Sequence, residues 1–145
     1  MKIFNRRAKF KYQILEKVEA GVVLLGAEVK SIRAGRADLS EAFARIRDGE
    51  GYLVNAYINP WMGSEKYKDT RRERKLLLHK SQVRELSRAV LEQGLTLVPL
   101  RLYLKDGLAK VELALVRGRK HYDKRAAIAQ REAQREMARA LRRRQ

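Results

Sequence analysis

The sequence contains no cysteine and only two prolines, and it is poor in aromatic and acidic residues. Without cysteine there can be no disulfide bond, thiolate metal site or cysteine nucleophile. No stretch approaches the roughly 18 apolar residues of a membrane-spanning helix. The N-terminal sequence also shows no signal-peptide pattern. We therefore expect a cytoplasmic protein that does not enter a membrane.

Positive charge is what the chain has in excess. Its 145 residues suffice for one domain with a hydrophobic core, and 45% of them are hydrophobic. Lys and Arg number 34 against 17 Asp and Glu, giving a formal net charge of +17. A polyanionic partner offsets the self-repulsion of such a chain, so nucleic acid is the favoured partner. An anionic membrane surface is the weaker alternative.

Most of the chain has the two-residue apolar period of β-strands. Asp48-Gly49 and Asp106-Gly107 predict two tight hairpins, because glycine tolerates the positive φ of such turns. Ala20-Gly21 is expected to separate the first two strands. The predicted strands are residues 10–18, 22–25, 43–47, 52–58, 96–104 and 108–116.

Two helices are predicted among these strands. Residues 81–93 carry an apolar stripe, with Ser81 as the expected N-cap and Gly94 at the end. A shorter helix near residues 27–34 ends at Gly35. Six strands and one late helix fit a mainly β, OB-like antiparallel barrel over residues 1–120, with the helix plugging an open end. An open sheet with helices on one face fits the pattern nearly as well.

Residues 121–145 form a basic tail with high helix propensity. Arg131, Arg135 and Arg139 step by four and would form one stripe on a helix. The opposite apolar face is thin, so we expect the tail to be disordered when free and helical against a polyanion. The alternative is a helix docked permanently on the barrel.

Residues that could carry catalysis are sparse. His79 and His121 lie far apart, no spacing resembles a metal-ligand set, and no glycine motif would cradle a phosphate. A Mg²⁺-dependent nuclease site can be imagined at four acids, which are Glu19, Glu28, Asp38 and Glu41. The favoured interpretation makes them solvated ion-pair partners of Lys17, Lys30, Arg33 and Arg36. We therefore expect no catalysis, no cofactor and no metal.

Two basic clusters contain aromatic residues, a combination suited to RNA because phosphates take the charge and unstacked bases take the rings. The first crowds residues 66–75 near Trp61 and Tyr67. The second surrounds Tyr122 and comprises Arg117, Arg119, Lys120, Lys124 and Arg125. The alternative for the first cluster is a solvated charge run whose aromatics pack on the barrel.

A set of motifs over nearly the whole chain resembles one family. The motifs are Asn5-Arg6-Arg7-Ala8, Glu19-Ala20-Gly21, the glycine-bounded segment 26–35, residues 74–80 (Arg-Lys-Leu-Leu-Leu-His-Lys), residues 96–100 (Thr-Leu-Val-Pro-Leu), Arg117-Gly118-Arg119-Lys120 and Asp123-Lys124-Arg125. Each is weak alone, but in this order and spacing they are specific. The sequence resembles the SmpB family, the protein partners of transfer-messenger RNA.

The resemblance implies an OB-fold protein that binds the tRNA-like domain of transfer-messenger RNA. Such a protein carries this RNA to a ribosome stalled without a stop codon and catalyses no reaction. Its tail becomes helical in the vacant mRNA channel of the small subunit, near the decoding centre. Away from the ribosome we expect a monomer.

The resemblance also implies which residues meet RNA. Asn5, Glu19, Leu77 and His79 match positions used for the tRNA-like domain, and Lys30 and Arg33 are the expected phosphate contacts. Arg6, Arg7, Arg74 and Lys75 lie in the same motifs and join the predicted RNA contacts. The predicted decoding-centre residues are Arg119, Lys120, Tyr122, Asp123, Lys124 and Arg125, followed by the stripe of Arg131, Arg135 and Arg139.

Two places depart from the family's pattern. Residues 67–70 read Tyr-Lys-Asp-Thr where the family has an Asn-His-Asp-Pro signature, and Ala133 stands where some members have a large aromatic. Two other functions remain open. One is a Mg²⁺-dependent RNA-processing enzyme built on Glu28. The other is a general RNA chaperone or ribosomal protein.

Overall fold

The computed structural model describes residues 2–59, 70–117, 131 and 134–140, without the side chain of Lys9. Predictions that concern residues 60–69 and most of the tail fall outside these ranges. Among the described helices, none has the length and apolar character needed to cross a membrane.

Nine strands and three helices make up the described body. The helices are α1 (Ala8–Lys11), α2 (Gly26–Arg33) and α3 (Lys80–Gln93). The strands are β1 (Lys2–Phe4), β2 (Gln13–Val22), β3 (Ala37–Asp38), β4 (Phe43–Arg47), β5 (Glu50–Val54), β6 (Tyr57–Ile58), β7 (Arg74–Leu77), β8 (Leu95–Lys105) and β9 (Leu108–Arg117).

Six of these strands close into an antiparallel barrel. The pairing runs β8-β4-β5-β7-β2-β9, and β9 then pairs back with β8 along its whole length. Strand β1 pairs with residues 101–103 of β8, beyond Leu97 where β8 pairs with β4, and β3 pairs with β6 in a separate small sheet. The closed ring confirms the predicted barrel over the open-sheet alternative, since an open sheet would leave two strands unpaired along one edge.

Local turn chemistry explains the two hairpins. Asp48 and Gly49 join β4 to β5 with φ values of 53° and 76°, and Asp106 and Gly107 join β8 to β9 with 51° and 77°. Two consecutive positive φ values give the tight turn whose twist matches a hairpin. Both hairpin predictions are confirmed.

The predicted helix boundaries hold to within one residue at most ends. Helix α3 ends before Gly94, which has the left-handed φ of 63°. Its N-cap is His79 and not the predicted Ser81, because the Gln82 side chain accepts the His79 backbone N–H and so extends the first turn upstream. The short helix α2 lies where it was predicted.

Only one strand stands where two were predicted, because β2 ends at Val22 and residues 23–25 of the second predicted strand belong to no strand. Strand β2 runs unbroken through Ala20-Gly21 to Val22, so the predicted break there is wrong. Gly21 instead permits close strand contact, because a Cβ at this position would lie 3.2 Å from the Leu77 Cβ on β7. Phe10 belongs to α1 and not to a strand. Strand β7 itself was not predicted.

The barrel interior is filled by alternating residues of the long strands. Leu53, Leu102, Val111 and Leu113 are fully buried in one hydrophobic cluster. Every barrel strand contributes to this cluster, and β7 does so through Leu76. On the opposite face of β2, β8 and β9, one part is buried in a second cluster formed by Val98, Ala114 and Val116, and the part around Glu19 is accessible.

Candidate nucleic-acid interface

One outer face of the barrel combines residues from five neighbouring strands. Leu77 pairs with Gly21, two positions from Glu19, and Glu19 pairs with Glu112. Glu112 in turn pairs with Arg101, which pairs with Phe4. Residues opposite each other in register project from the same face of a sheet. We call this surface, from Leu77 across Glu19, Glu112 and Arg101 to Phe4, the outer face.

The structure therefore brings together two predicted RNA contacts that are 58 positions apart in sequence. Glu19 is exposed on β2, and Leu77 is exposed on the adjoining β7. The Leu77 side chain is 57% exposed, which is unusual for a large apolar residue in a strand. An acid next to an exposed leucine gives this face a polar and an apolar contact point.

Glu19 is held by a neighbour that the sequence analysis missed. The Tyr103 hydroxyl on β8 donates a hydrogen bond to the Glu19 carboxylate. This bond is the main cause that lowers the pKa of Glu19 from its ordinary value. Burial, followed by the bond to Glu19, raises the pKa of Tyr103 to about 12. At neutral pH the carboxylate therefore stays charged and the hydroxyl stays a donor.

A second pair extends this network across the outer face. Arg101 Nη2 lies 3.2 Å from Glu112 Oε2, and its guanidinium stacks 4.8 Å from the centre of the Tyr103 ring. The sequence did carry a signal for these residues, because Arg101 and Tyr103 alternate with apolar neighbours along β8. Their partners on β2 and β9 could not be identified without the register.

Asn5 lies beneath this surface and not on it. Its side chain is 7% exposed, and its Nδ2 donates to the Leu39 carbonyl at 3.2 Å and the Pro99 carbonyl at 2.9 Å. These bonds tie the end of β1 to β8 and to the segment after β3. Asn5 therefore has a structural role in the barrel, and its contact with RNA stays a prediction.

The neighbouring arginines of the same motif are accessible. Arg6 is exposed, and Arg7 is exposed with a weak ion pair to Glu41 at 3.7 Å. Lys30 and Arg33 are likewise exposed, on α2. Neither of them makes an ion pair within the described ranges, so both remain available for phosphate.

The prediction that Arg74 contacts RNA is wrong. Its side chain is fully buried, where Nε donates to Glu28 Oε2 at 2.7 Å and Nη1 to the Ala56 carbonyl at 2.8 Å. Nη2 donates to the Thr70 carbonyl at 3.2 Å. A guanidinium so enclosed by protein acceptors has no surface left for RNA.

The prediction that Glu28 is a solvated acid is also wrong. Its carboxylate is 5% exposed and accepts from Arg72, Arg74 and the Leu25 backbone N–H. Burial alone raises the pKa of Glu28, but these hydrogen bonds outweigh it and lower the pKa below its ordinary value. The carboxylate is fully engaged, which leaves it no capacity to hold the Mg²⁺ of an RNA-processing enzyme. Within the described ranges, no group of three or more His, Asp or Glu could hold a metal ion.

Two further predicted contacts lie around the start of α3. Lys75 is exposed and forms an ion pair with Glu50 at 3.2 Å, and His79 is exposed at the helix N-cap. Both line an open cavity of about 360 Å³ together with Leu77. The structure thus connects Lys75, Leu77 and His79 into one edge of the outer face.

The tail is described only in part. Residues 134–140 are helical, and Arg131, Arg135 and Arg139 are exposed at the predicted spacing of four. Met137 on the same segment is 65% exposed. Arg119, Lys120, Tyr122, Asp123, Lys124 and Arg125 lie outside the described residues. The disorder of the free tail stays a prediction.

Comparison with known proteins gives concordant results. A family model described as SmpB protein matches residues 2–143. An SsrA-binding protein of Desulforudis audaxviator is 54% identical over 139 residues, which cover 95% of this chain and 91% of the relative. An SsrA-binding protein of Thermosynechococcus vestitus is 54% identical over 142 residues, covering 97% and 93%.

The fold is also that of a known structure. A chain from "tmRNA-SmpB: a journey to the center of the bacterial ribosome" superposes with a TM-score of 0.70 at 54% identity, covering 82% of this chain and 85% of the other. The sequence comparisons match nearly the whole chain, and the structural match covers about four-fifths of it. The chain belongs to the SmpB family.

Proposed function

We propose that this protein binds the tRNA-like domain of transfer-messenger RNA and delivers it to stalled ribosomes, without catalysing a reaction. Relatives with 54% identity are SsrA-binding proteins, and they match over more than nine-tenths of their length. A protein acting on ribosomes in this way works in the cytoplasm.

The observation that carries the proposal is the outer face. Glu19 and Leu77, the two contacts expected from widely separated motifs, project from neighbouring strands with Tyr103 hydrogen-bonded to Glu19 and Arg101 stacked on the Tyr103 ring. An ionised acid can accept hydrogen bonds from base amino groups or ribose hydroxyls, which distinguishes one RNA fold from another. The outer face thus supports selective binding beyond general attraction to phosphate.

Exposed basic side chains without ion pairs among the described residues add affinity for the RNA phosphates. Arg6, Lys30 and Arg33 are exposed and lack ion pairs among the described residues. With a net charge of +17, the protein attracts any RNA. Selectivity for the tRNA-like domain therefore depends on the outer face, and affinity depends on both.

Competition binding tests the RNA half of this proposal. Labelled tRNA-like domain is titrated with full-length protein in the presence of excess bulk RNA without a tRNA-like fold. We expect binding to persist at competitor excess. Complete displacement by an equal mass of bulk RNA would contradict selective binding and favour a general RNA chaperone.

Truncation tests the ribosomal half, in which the tail enters the mRNA channel and the residues from 119 onward meet the decoding centre. Strand β9 ends at Arg117, so removing the residues after Lys120 leaves every described barrel strand intact. We expect the truncated protein to stay folded and bind the tRNA-like domain, but to lose rescue of stalled ribosomes. A truncated protein that unfolds, or that still supports rescue, would contradict the role of the tail.

A further inference from the structure

An open groove of about 660 Å³ lies at the Phe4 end of the outer face. We call it the phenylalanine groove. It is formed by β1, the segment after β1, α1 and the neighbouring strands β2, β8 and β9, and its lining includes Phe4, Arg6, Phe10, Lys17, Arg101 and Glu112. Its volume lies within the roughly 300–1,000 Å³ of ordinary ligand pockets. Neither the family match nor the predicted contacts accounts for its apolar lining.

Two phenylalanine side chains that line this groove are exposed to solvent, although large aromatic side chains are usually buried. Phe4 is 58% exposed and Phe10 is 87% exposed. Phe4 points outward because its strand neighbour Ile3, at 8% exposure, takes the inward position. Adjacent exposed rings indicate a surface that meets a partner.

The charge around the rings identifies the kind of partner. Arg6 and Lys17 line the groove, are exposed, and make no ion pair within the described ranges. An apolar protein segment lying here would strip water from both cations without compensating them. A nucleotide satisfies both features, because its base offers a flat π surface and its phosphate offers negative charge.

The groove is continuous with the outer face. Arg101 and Glu112 line the groove, and the same two residues form the ion pair next to Glu19 and Tyr103. An RNA that follows the outer face from Glu19 toward Phe4 would therefore reach the groove. Single-stranded segments of a folded RNA can place an unstacked base in such a position.

We propose that the phenylalanine groove receives an unpaired nucleotide of the bound RNA, with its base stacked on Phe4 or Phe10 and its phosphates facing Arg6 and Lys17. This inference rests on the proposed RNA-binding function and adds a stacking site to it. Base stacking on aromatic side chains adds affinity with little dependence on base identity.

Paired substitutions separate stacking from apolar contact. Phe4→Leu with Phe10→Leu keeps the groove apolar but removes the rings, whereas Phe4→Tyr with Phe10→Tyr keeps the rings. We expect the leucine pair to weaken binding of a transcribed tRNA-like domain by about tenfold, and the tyrosine pair to bind within about twofold of the parent. Leu91→Ala, which removes another large exposed apolar side chain on α3, is the matched control and should leave binding unchanged.

Salt dependence provides a second readout. The leucine pair should keep the parent slope of log K against log[salt], because it removes no phosphate contact. Lys17→Gln should reduce the slope by about 0.7. Circular dichroism should show all variants folded, since the replaced side chains are exposed.

Two results would contradict the proposed stacking site in the groove. One is a leucine pair that binds as tightly as the parent, and the other is a tyrosine pair that loses as much affinity as the leucine pair. Either outcome leaves the proposed function standing if the parent still prefers the tRNA-like domain over bulk RNA. Failure of that preference in the parent would instead contradict the proposed function itself.

Discussion

Two charged clusters in this molecule use the same kinds of side chain for opposite purposes. In the buried cluster, Glu28 is enclosed with Arg72 and Arg74 at N–O distances down to 2.5 Å. In the cluster on the outer face, Glu19 accepts a hydrogen bond from Tyr103 while remaining exposed. The first cluster holds parts of the fold together, and the second leaves an ionised acid exposed on the outer face, where we propose that RNA binds.

The two clusters differ in how much hydrogen-bonding capacity their charged groups leave unused. In the buried cluster, backbone carbonyls of Ala56, Thr70 and Arg72 accept from Arg74, so the guanidinium has protein partners on every side. On the outer face, Glu19 receives one hydrogen bond and keeps lone pairs open to solvent. Charge alone therefore does not distinguish the two clusters, whereas spare hydrogen-bonding capacity does.

Breaking the buried cluster should have the largest effect. Glu28→Gln leaves two arginines against a neutral amide, one of them with no exposed surface. Removing one partner of a buried ion pair typically costs about 3–5 kcal/mol of unfolding free energy. Urea unfolding measures the loss. Glu41→Gln, which breaks the exposed pair with Arg7, is the control and should change stability little.

The same cluster makes stability depend on acid. Because its hydrogen bonds lower the pKa of Glu28, its stabilisation is complete above the ordinary pKa of 4.5 and is lost as pH falls through the lower folded-state pKa. The parent protein should therefore lose stability in that acidic range, and Glu28→Gln should lose less there. An equal acid dependence in both proteins would show that Glu28 does not carry this effect.

Changing the exposed acid should affect binding and not folding. Glu19→Gln keeps the shape of the side chain but removes its charge, and so it should remove the proposed charge-assisted hydrogen bond to RNA. We expect affinity for the tRNA-like domain to fall about tenfold. Equal urea midpoints for the two proteins would confirm that folding is unaffected. The exposed Glu92→Gln on α3 is the control, and unchanged RNA affinity in Glu19→Gln would reduce Glu19 to a surface acid.

The contrast also shows how far the sequence could predict the structure. The hairpins at Asp48-Gly49 and Asp106-Gly107 were predictable, because the positive φ of a tight turn is a local requirement. The same holds for the end of α3 at Gly94. Strand β7 was not predictable, because it has only four residues (Arg-Lys-Leu-Leu) and no turn signal flanks it.

The roles of individual charged residues depended on distant partners. Arg74 and Lys75 are adjacent, yet Arg74 is buried against Glu28, 46 positions away, and Lys75 is exposed. The sequence shows that neighbouring strand residues alternate between the two faces, but it does not show which face points into the barrel. An arginine that points into the barrel is exceptional. The exposed positions of the candidate site at Glu19 and Leu77 were therefore suggested by the family motifs, while Tyr103 and Arg101 required the strand register.

Removing only the Tyr103 hydroxyl should have the smallest effect and the most specific one. Tyr103→Phe keeps the ring that stacks with Arg101 but removes the donor to Glu19, so the pKa of Glu19 should rise toward its ordinary 4.5. Since the bond lowers this pKa in the parent, the Glu19 carboxylate of the variant should take up its proton at a higher pH. Carbon-13 NMR titration of the Glu19 carboxyl in the free protein measures the midpoint directly. At neutral pH the carboxylate stays ionised in both proteins, so RNA affinity should fall only a few-fold, through lost positioning of Glu19. A titration midpoint that does not move would show that Tyr103 is not the group that holds Glu19 in its charged form.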